Sequence, residues 1–110
     1  MYEETIVLAA ASTYDKKYYF NDEFEQLPQS IKDELKVICV MHTADVGGII
    51  TILFDEDGTL LIEASADEED VLYDDIGSHL KVKKLQIDKK ELWEALETYF
   101  KVFYLGEETL

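Results

Sequence analysis

The clearest alternation of apolar and polar positions lies between Gly47 and Ala66. Gly-Gly-Ile-Ile-Thr-Ile-Leu-Phe leads into Asp-Glu-Asp-Gly, and Thr-Leu-Leu-Ile-Glu-Ala-Ser-Ala follows. β-Branched and aromatic residues on both sides of an Asp57-Gly58 turn predict a β-hairpin. Two registers compete. A two-residue turn at Asp57-Gly58 would set Phe54 opposite Leu61 and Ile52 opposite Glu63. A type I turn closed by a Gly58 bulge would pair Asp55 with Thr59, Phe54 with Leu60, Ile52 with Ile62 and Ile50 with Ala64. A one-residue slip exchanges the two faces of a strand. Only the bulged register gathers Ile50, Ile52, Phe54, Leu60, Ile62 and Ala64 on one face and keeps Glu63 off it, so the bulged register is expected.

The flanks read as helices. Ile6, Val7, Ala10, Ala11, Tyr14 and Tyr18 recur at helical spacing, and Glu3 and Glu4 suit a helix N-terminus. This predicts a helix over residues 3–19. Two strands, Thr5 to Ala11 and Lys17 to Phe20, are the competing reading, and the alanine run tips the balance toward helix. Asn21 can cap a short turn that points Phe24 and Leu27 inward. Pro28 then opens a helix with Ile31, Leu35, Ile38, Cys39, His42 and Val46 on one stripe. Val37, Val40, Met41 and Ala44 widen that stripe, which predicts the most buried helix of the molecule. Its rival is a strand over Lys36 to Thr43. Gly47-Gly48 ends the helix.

After the hairpin, Asp67 serves as N-cap to a third helix with Leu72, Ile76 and Leu80 on its inner stripe. Asp88 and Glu91 resemble a capping box for a last helix over residues 89–105, and Gly106 to Leu110 read as a frayed tail. The resulting expectation is a single α+β domain over residues 1–110. An antiparallel hairpin, open to extension to three or more strands, packs against about four helices in the order α-α-β-β-α-α.

Charge changes the picture more than any other compositional fact. The chain's 110 residues hold 25 acids against 10 bases, for a net charge of −15. All ten bases are Lys, so no bidentate arginine fork is available. A field of that sign disfavours direct contact with nucleic acid or an anionic membrane and favours a basic protein surface or a cation. The chain has no apolar run long enough to span a bilayer, its start is acidic, and Cys39 is its lone cysteine. Together these favour a cytoplasmic protein without a disulfide.

Candidate chemistry is thin. Residues 55–75 contain ten acids and no base. Nine of these carboxylates (Asp55, Glu56, Asp57, Asp67, Glu68, Glu69, Asp70, Asp74 and Asp75) form the candidate partner-binding set, against a simpler reading as solvated turns and helix caps. An EF-hand loop aligned on Gly58 would place Leu53 at position one and Ala64 at position twelve, so calcium is not expected. Cys39 and His42 share a helical face and could form a thiol site, although a buried structural cysteine is the commoner case. No phosphate loop, nucleophile elbow or zinc motif is present. No cofactor, metal or catalytic residue is assigned. Trp93, Phe100 and Tyr104 spread over more than one face of the last helix, which suggests a homodimer seam.

Three stretches carry a family likeness: Leu27-Pro28-x-x-Ile31-Lys32-x-Glu34-Leu35, Gly47-Gly48 with Phe54-x-x-x-Gly58, and Tyr73-Asp74-x-Ile76-Gly77. Together they resemble a small uncharacterised family of acidic proteins from gram-positive bacteria. The resemblance implies a compact bacterial cytosolic domain and transfers no functional residue. The leading expectation is a non-enzymatic module that presents the acidic residues to a basic partner. The alternative is a small-molecule or divalent-cation-binding domain, with carboxylate chemistry near Tyr73 and His79.

Overall fold

A computed structural model describes residues 4–106. It places the hairpin in the bulged register. Phe54 pairs with Leu60, Ile52 with Ile62 and Ile50 with Ala64 across β3 (Ile49–Phe54) and β4 (Leu60–Ser65). The Gly58 N–H donates to Asp55 O at 3.0 Å and the Asp55 N–H to Thr59 O at 2.9 Å. Gly58 sits at φ 87°, a left-handed conformation open to glycine without a Cβ penalty.

The N-terminal third departs from expectation. In place of a helix it forms β1 (Ile6–Ser12) and β2 (Lys17–Phe20); residue 3 and the tail 107–110 lie outside the described residues. The sheet is antiparallel with order β2-β1-β3-β4, and β1 is bulged between Val7 and Ala9. The alanines explain the departure. Ala9 and Ala11 are buried on the sheet face beneath α1 (Gln29–Val46), where small side chains let helix and strand approach closely. Alanine's helix propensity is overridden there by pairing with β3, as tertiary context commonly does.

Among the described residues the element order is therefore β-β-α-β-β-α-α with three α-helices, not α-α-β-β-α-α with about four. α1 lies over β1 and β3, α2 (Asp75–Asp88) over β4, and α3 (Lys90–Tyr99) continues into a π turn, Phe100–Tyr104. Leu35, Ile38, Cys39 and His42 of α1 are buried as the stripe requires. Val37, Val40 and Met41 are exposed, so α1 is not apolar-buried all round. Among the described residues no helix is long and apolar enough to cross a membrane.

The last helix turns Trp93 and Phe100 inward and leaves Phe103 exposed. Phe100 stacks on Phe54 with ring centroids 4.2 Å apart, and Phe24 closes the cluster at 5.7 Å from Phe54. Such pairs add about 0.5–1.5 kcal/mol each beyond area burial. The Trp93 indole N–H donates to Leu85 O at 2.9 Å. Tyr104 stacks on Phe100 and donates to Glu23 Oε1 at 2.9 Å. Trp93 and Phe100, expected at a dimer seam, are core residues, and Tyr104 is engaged within its own chain. The expected cap is also displaced: Asp88 is the last residue of α2 and pairs with Lys84 at 2.8 Å.

Candidate functional site

The acidic residues fall at two places. β4 is six residues long, so roughly 20 Å of strand separates the Asp55–Gly58 turn from the segment that starts at Asp67. The nine carboxylates therefore lie in two groups, one at each end of β4.

The segment from Ala66 to Asp74 is held by side-chain hydrogen bonds, its own and those of Tyr14 in the β1–β2 turn, rather than by helix formation. The Asp67 N–H donates to the Tyr14 hydroxyl at 3.0 Å, and that hydroxyl donates to Asp70 Oδ2 at 2.6 Å. The phenol is held above its usual pKa by the Asp70 hydrogen bond first and by burial second. Asp67 Oδ1 accepts from Glu69 N and Asp70 Oδ1 from Leu72 N. Tyr73 lies against Gly48, where an added Cβ would stand 2.6 Å from the ring and closer still to Ser65 O. The helix starts only at Asp75, capped by Asp74, whose Oδ1 accepts from Gly77 N at 2.9 Å. The expected N-cap at Asp67 is thus a turn residue.

Sorting the carboxylates by hydrogen bonding separates scaffold from surface. Asp55 accepts from Asp57 N and Thr59 N, and Asp67, Asp70 and Asp74 accept as above. Among the described residues Glu56, Asp57, Glu68, Glu69 and Asp75 make no such bond and are exposed. Four acids of the candidate set are therefore local caps, and five face water.

The late start of α2 rotates its expected stripe outward. Ser78 and Val82 are the buried positions, with half-buried Leu85 beside them. Leu72 and Ile76 are 90% and 76% exposed, Val71 is 89% and Leu80 is 60%. These four apolar side chains stand on an ordered segment beside Glu68, Glu69 and Asp75. An apolar centre with a charged rim is the composition of a protein-docking surface.

Beneath the ridge runs a polar chain that sequence reasoning missed. The Tyr73 hydroxyl donates to Ser78 Oγ at 2.6 Å, and Ser78 Oγ lies 3.4 Å from His42 Nε2. His42 Nδ1 is buried with no hydrogen-bond partner among the described residues. Burial first, and the Lys81 charge second, hold the imidazole below its ordinary pKa, with Asp45 opposing. The legible signal was Ser78 at helical spacing from Val82 and Leu85, a serine on the inner stripe. A serine–histidine contact invites a nucleophilic reading, but Ser78 is only 1% exposed, so its oxygen is closed to a substrate. Cys39 is fully buried, and burial pushes its thiol up to about 12, so the Cys39–His42 pair is core rather than a reactive site.

The alternative site near Tyr73 and His79 is a cavity of about 230 Å³ between α2 and β4, bordered by Asp75 and Lys83. That is below the roughly 300–1,000 Å³ of small-molecule pockets. A larger groove of about 630 Å³ separates α1 from α2; Lys81–Asp45 and Lys89–Glu34 ion pairs join the two sides. Among the described residues no three His, Cys, Asp or Glu side chains are close enough together to hold a metal ion.

No curated protein and no solved structure matches the chain. One family model does, over residues 5–108, nearly the whole length and across every element described above. The chain belongs to that family, a family of unknown function designated DUF6145.

Proposed function

We propose that this chain is a non-enzymatic protein-interaction module that receives a basic amphipathic segment of another protein on the ridge from Val71 to Leu80. The observation that carries the reading is the exposure of Val71, Leu72, Ile76 and Leu80 on a segment tied by the Tyr14–Asp70 and Tyr73–Ser78 hydrogen bonds. Burying one such side chain contributes about 1.5–3 kcal/mol. The same hydrogen bonds reduce what is lost to ordering the ridge on binding. Glu68, Glu69 and Asp75 supply a rim that selects for lysine- or arginine-bearing partners, and the net charge of −15 steers them in. A cytosolic setting in a gram-positive bacterium, implied by the sequence resemblance alone, is part of the same proposal.

The test uses a synthetic amphipathic helix with leucines on one face and lysines on the other, titrated into the full chain by calorimetry and followed by amide NMR. Shifts are expected at residues 67–80, with affinity falling as salt rises. Leu72→Ser and the pair Glu68→Lys, Glu69→Lys should each weaken binding by about tenfold, or 1.4 kcal/mol. Shifts that map elsewhere, or an affinity indifferent to all three changes, reject the ridge as the docking surface.

A further inference from the structure

A second surface runs against the character of the molecule. Between the β1–β2 hairpin and α1 lies a groove of about 550 Å³, within the roughly 300–1,000 Å³ of small-molecule sites. Lys16, Lys17 and Lys36 line it, with Ser12, Tyr18 and Val40, and among the described residues no carboxylate does. In a chain with 25 acids and ten lysines this is the reverse of the average surface. The ion-paired lysines are elsewhere: Lys81 and Lys84 on α2, Lys90 on α3 and Lys89 between them. Among the described residues, Lys16, Lys17 and Lys36 have no acidic partner.

We infer that this groove binds a small molecule carrying a phosphate group. The three ammonium groups are donors only. Ser12 Oγ already accepts from Tyr14 N and Asp15 N, both at 3.2 Å, so its own proton is what it has to offer. Thr13 and Thr43 also line the groove, but their hydroxyl protons are already given to backbone carbonyls. The free donors are thus the three ammonium groups and Ser12, and these call for an acceptor-rich ligand. Lysines act as point charges and suit a tetrahedral phosphate, whereas a planar carboxylate is matched better by an arginine fork, and the chain has no arginine. Tyr18 and Val40 give the body of the ligand an apolar wall. Lys16 holds φ 53°, which glycine would adopt at lower cost, so the turn keeps a charge at a position where the backbone alone favours glycine. At physiological salt the Debye length is about 8 Å, so acids beyond that range are largely screened; Asp15, next to Lys16 in the turn, is the near one and does not line the groove. The site lies apart from the ridge and stands or falls independently of it.

The test titrates inorganic pyrophosphate into the full chain, read by thermal shift and amide NMR. A saturable rise in Tm is expected, with NMR shifts confined to residues 12–18 and 36–44. Lys16→Gly relieves the left-handed backbone while deleting a charge, so it should fold at least as well as the parent. Lys36→Gln changes an exposed helical position. Each should weaken binding by about tenfold, and Lys83→Gln, outside the groove, should not. A response that fails to saturate by about 20 mM, that maps elsewhere, or that falls equally in Lys83→Gln overturns the assignment.

Discussion

The two ends of β4 carry similar acidic sequence and put it to different use. At one end, Asp55-Glu56-Asp57-Gly58 is a tight turn whose neighbours Phe54 and Leu60 go straight into the aromatic core. At the other, Asp67 to Asp75 builds an ordered segment whose apolar residues point to water. Both ends use aspartates to cap backbone N–H groups, so acid content alone does not separate them. What differs is where the interleaved apolar side chains go. Acids beside buried residues finish a fold, whereas acids beside exposed ones border a surface.

The largest test of this contrast uses one glycine from each end. Gly48, at φ 73°, backs onto Tyr73 and Ser65, so Gly48→Ala meets both backbone strain and a rigid neighbour. A loss of about 3 kcal/mol or more is expected from urea unfolding midpoints. Gly58→Ala meets Lys101 Cγ at 2.9 Å, which moves only if that side chain changes rotamer. It should cost about 1–2 kcal/mol, less than a clash with the Ser65 backbone oxygen. Equal losses would mean that Tyr73 is not a fixed wall of the ridge.

The hairpin was legible because turn chemistry and face composition agreed. Gly58 fits a bulge, and only one register keeps Glu63 wet. β1 was not, because Ala9-Ala10-Ala11 favours helix locally and becomes strand through β3 and α1, contacts remote in sequence. Asp67 and Asp74 are equally good N-caps on paper. Tyr14 and Gly48, distant in the chain, commit Asp67 to a turn and leave Asp74 to start α2. The acidic residues of the candidate site could therefore be read from the sequence, but the outward rotation of Leu72, Ile76 and Leu80 could not. Hydropathy prefers their stripe to the less apolar Ser78, Val82 and Leu85 that packs inside. In the last helix the several aromatics suggested an outer face; Phe24 and Phe54 receive Phe100 from within, while Phe103 stays exposed.

Smaller effects sharpen the comparison. Asp55→Ala removes an acceptor shared by two N–H groups and should cost about 1–2 kcal/mol, and Asp74→Ala, which frees one, about 1 kcal/mol. Only the ridge end should add a histidine-linked pH response. His42, facing Ser78, Lys81 and Asp45, has its pKa lowered in the folded state from 6.5. Above 6.5 both states are neutral there and its contribution is full. As pH falls below 6.5 the unfolded chain takes up the proton first and stability declines until the folded-state value is passed. Subtracting the pH–stability curve of His42→Gln from that of the parent isolates this limb from the carboxylates. A flat difference between pH 7 and pH 5 would remove His42 from the support of the ridge.

The smallest expected effect is the most discriminating. Leu72 is 90% exposed, so Leu72→Ser should move stability by less than about 0.5 kcal/mol, no more than Glu56→Gln at the opposite turn. A leucine that contributes nothing to folding, on a segment fixed by Tyr14, Asp70 and Tyr73, has its apolar surface free for a partner. If urea unfolding instead shows a loss above about 1 kcal/mol, Leu72 is packed within its own chain. The ridge would then be a second edge of the core, and the two ends of β4 would differ only in degree.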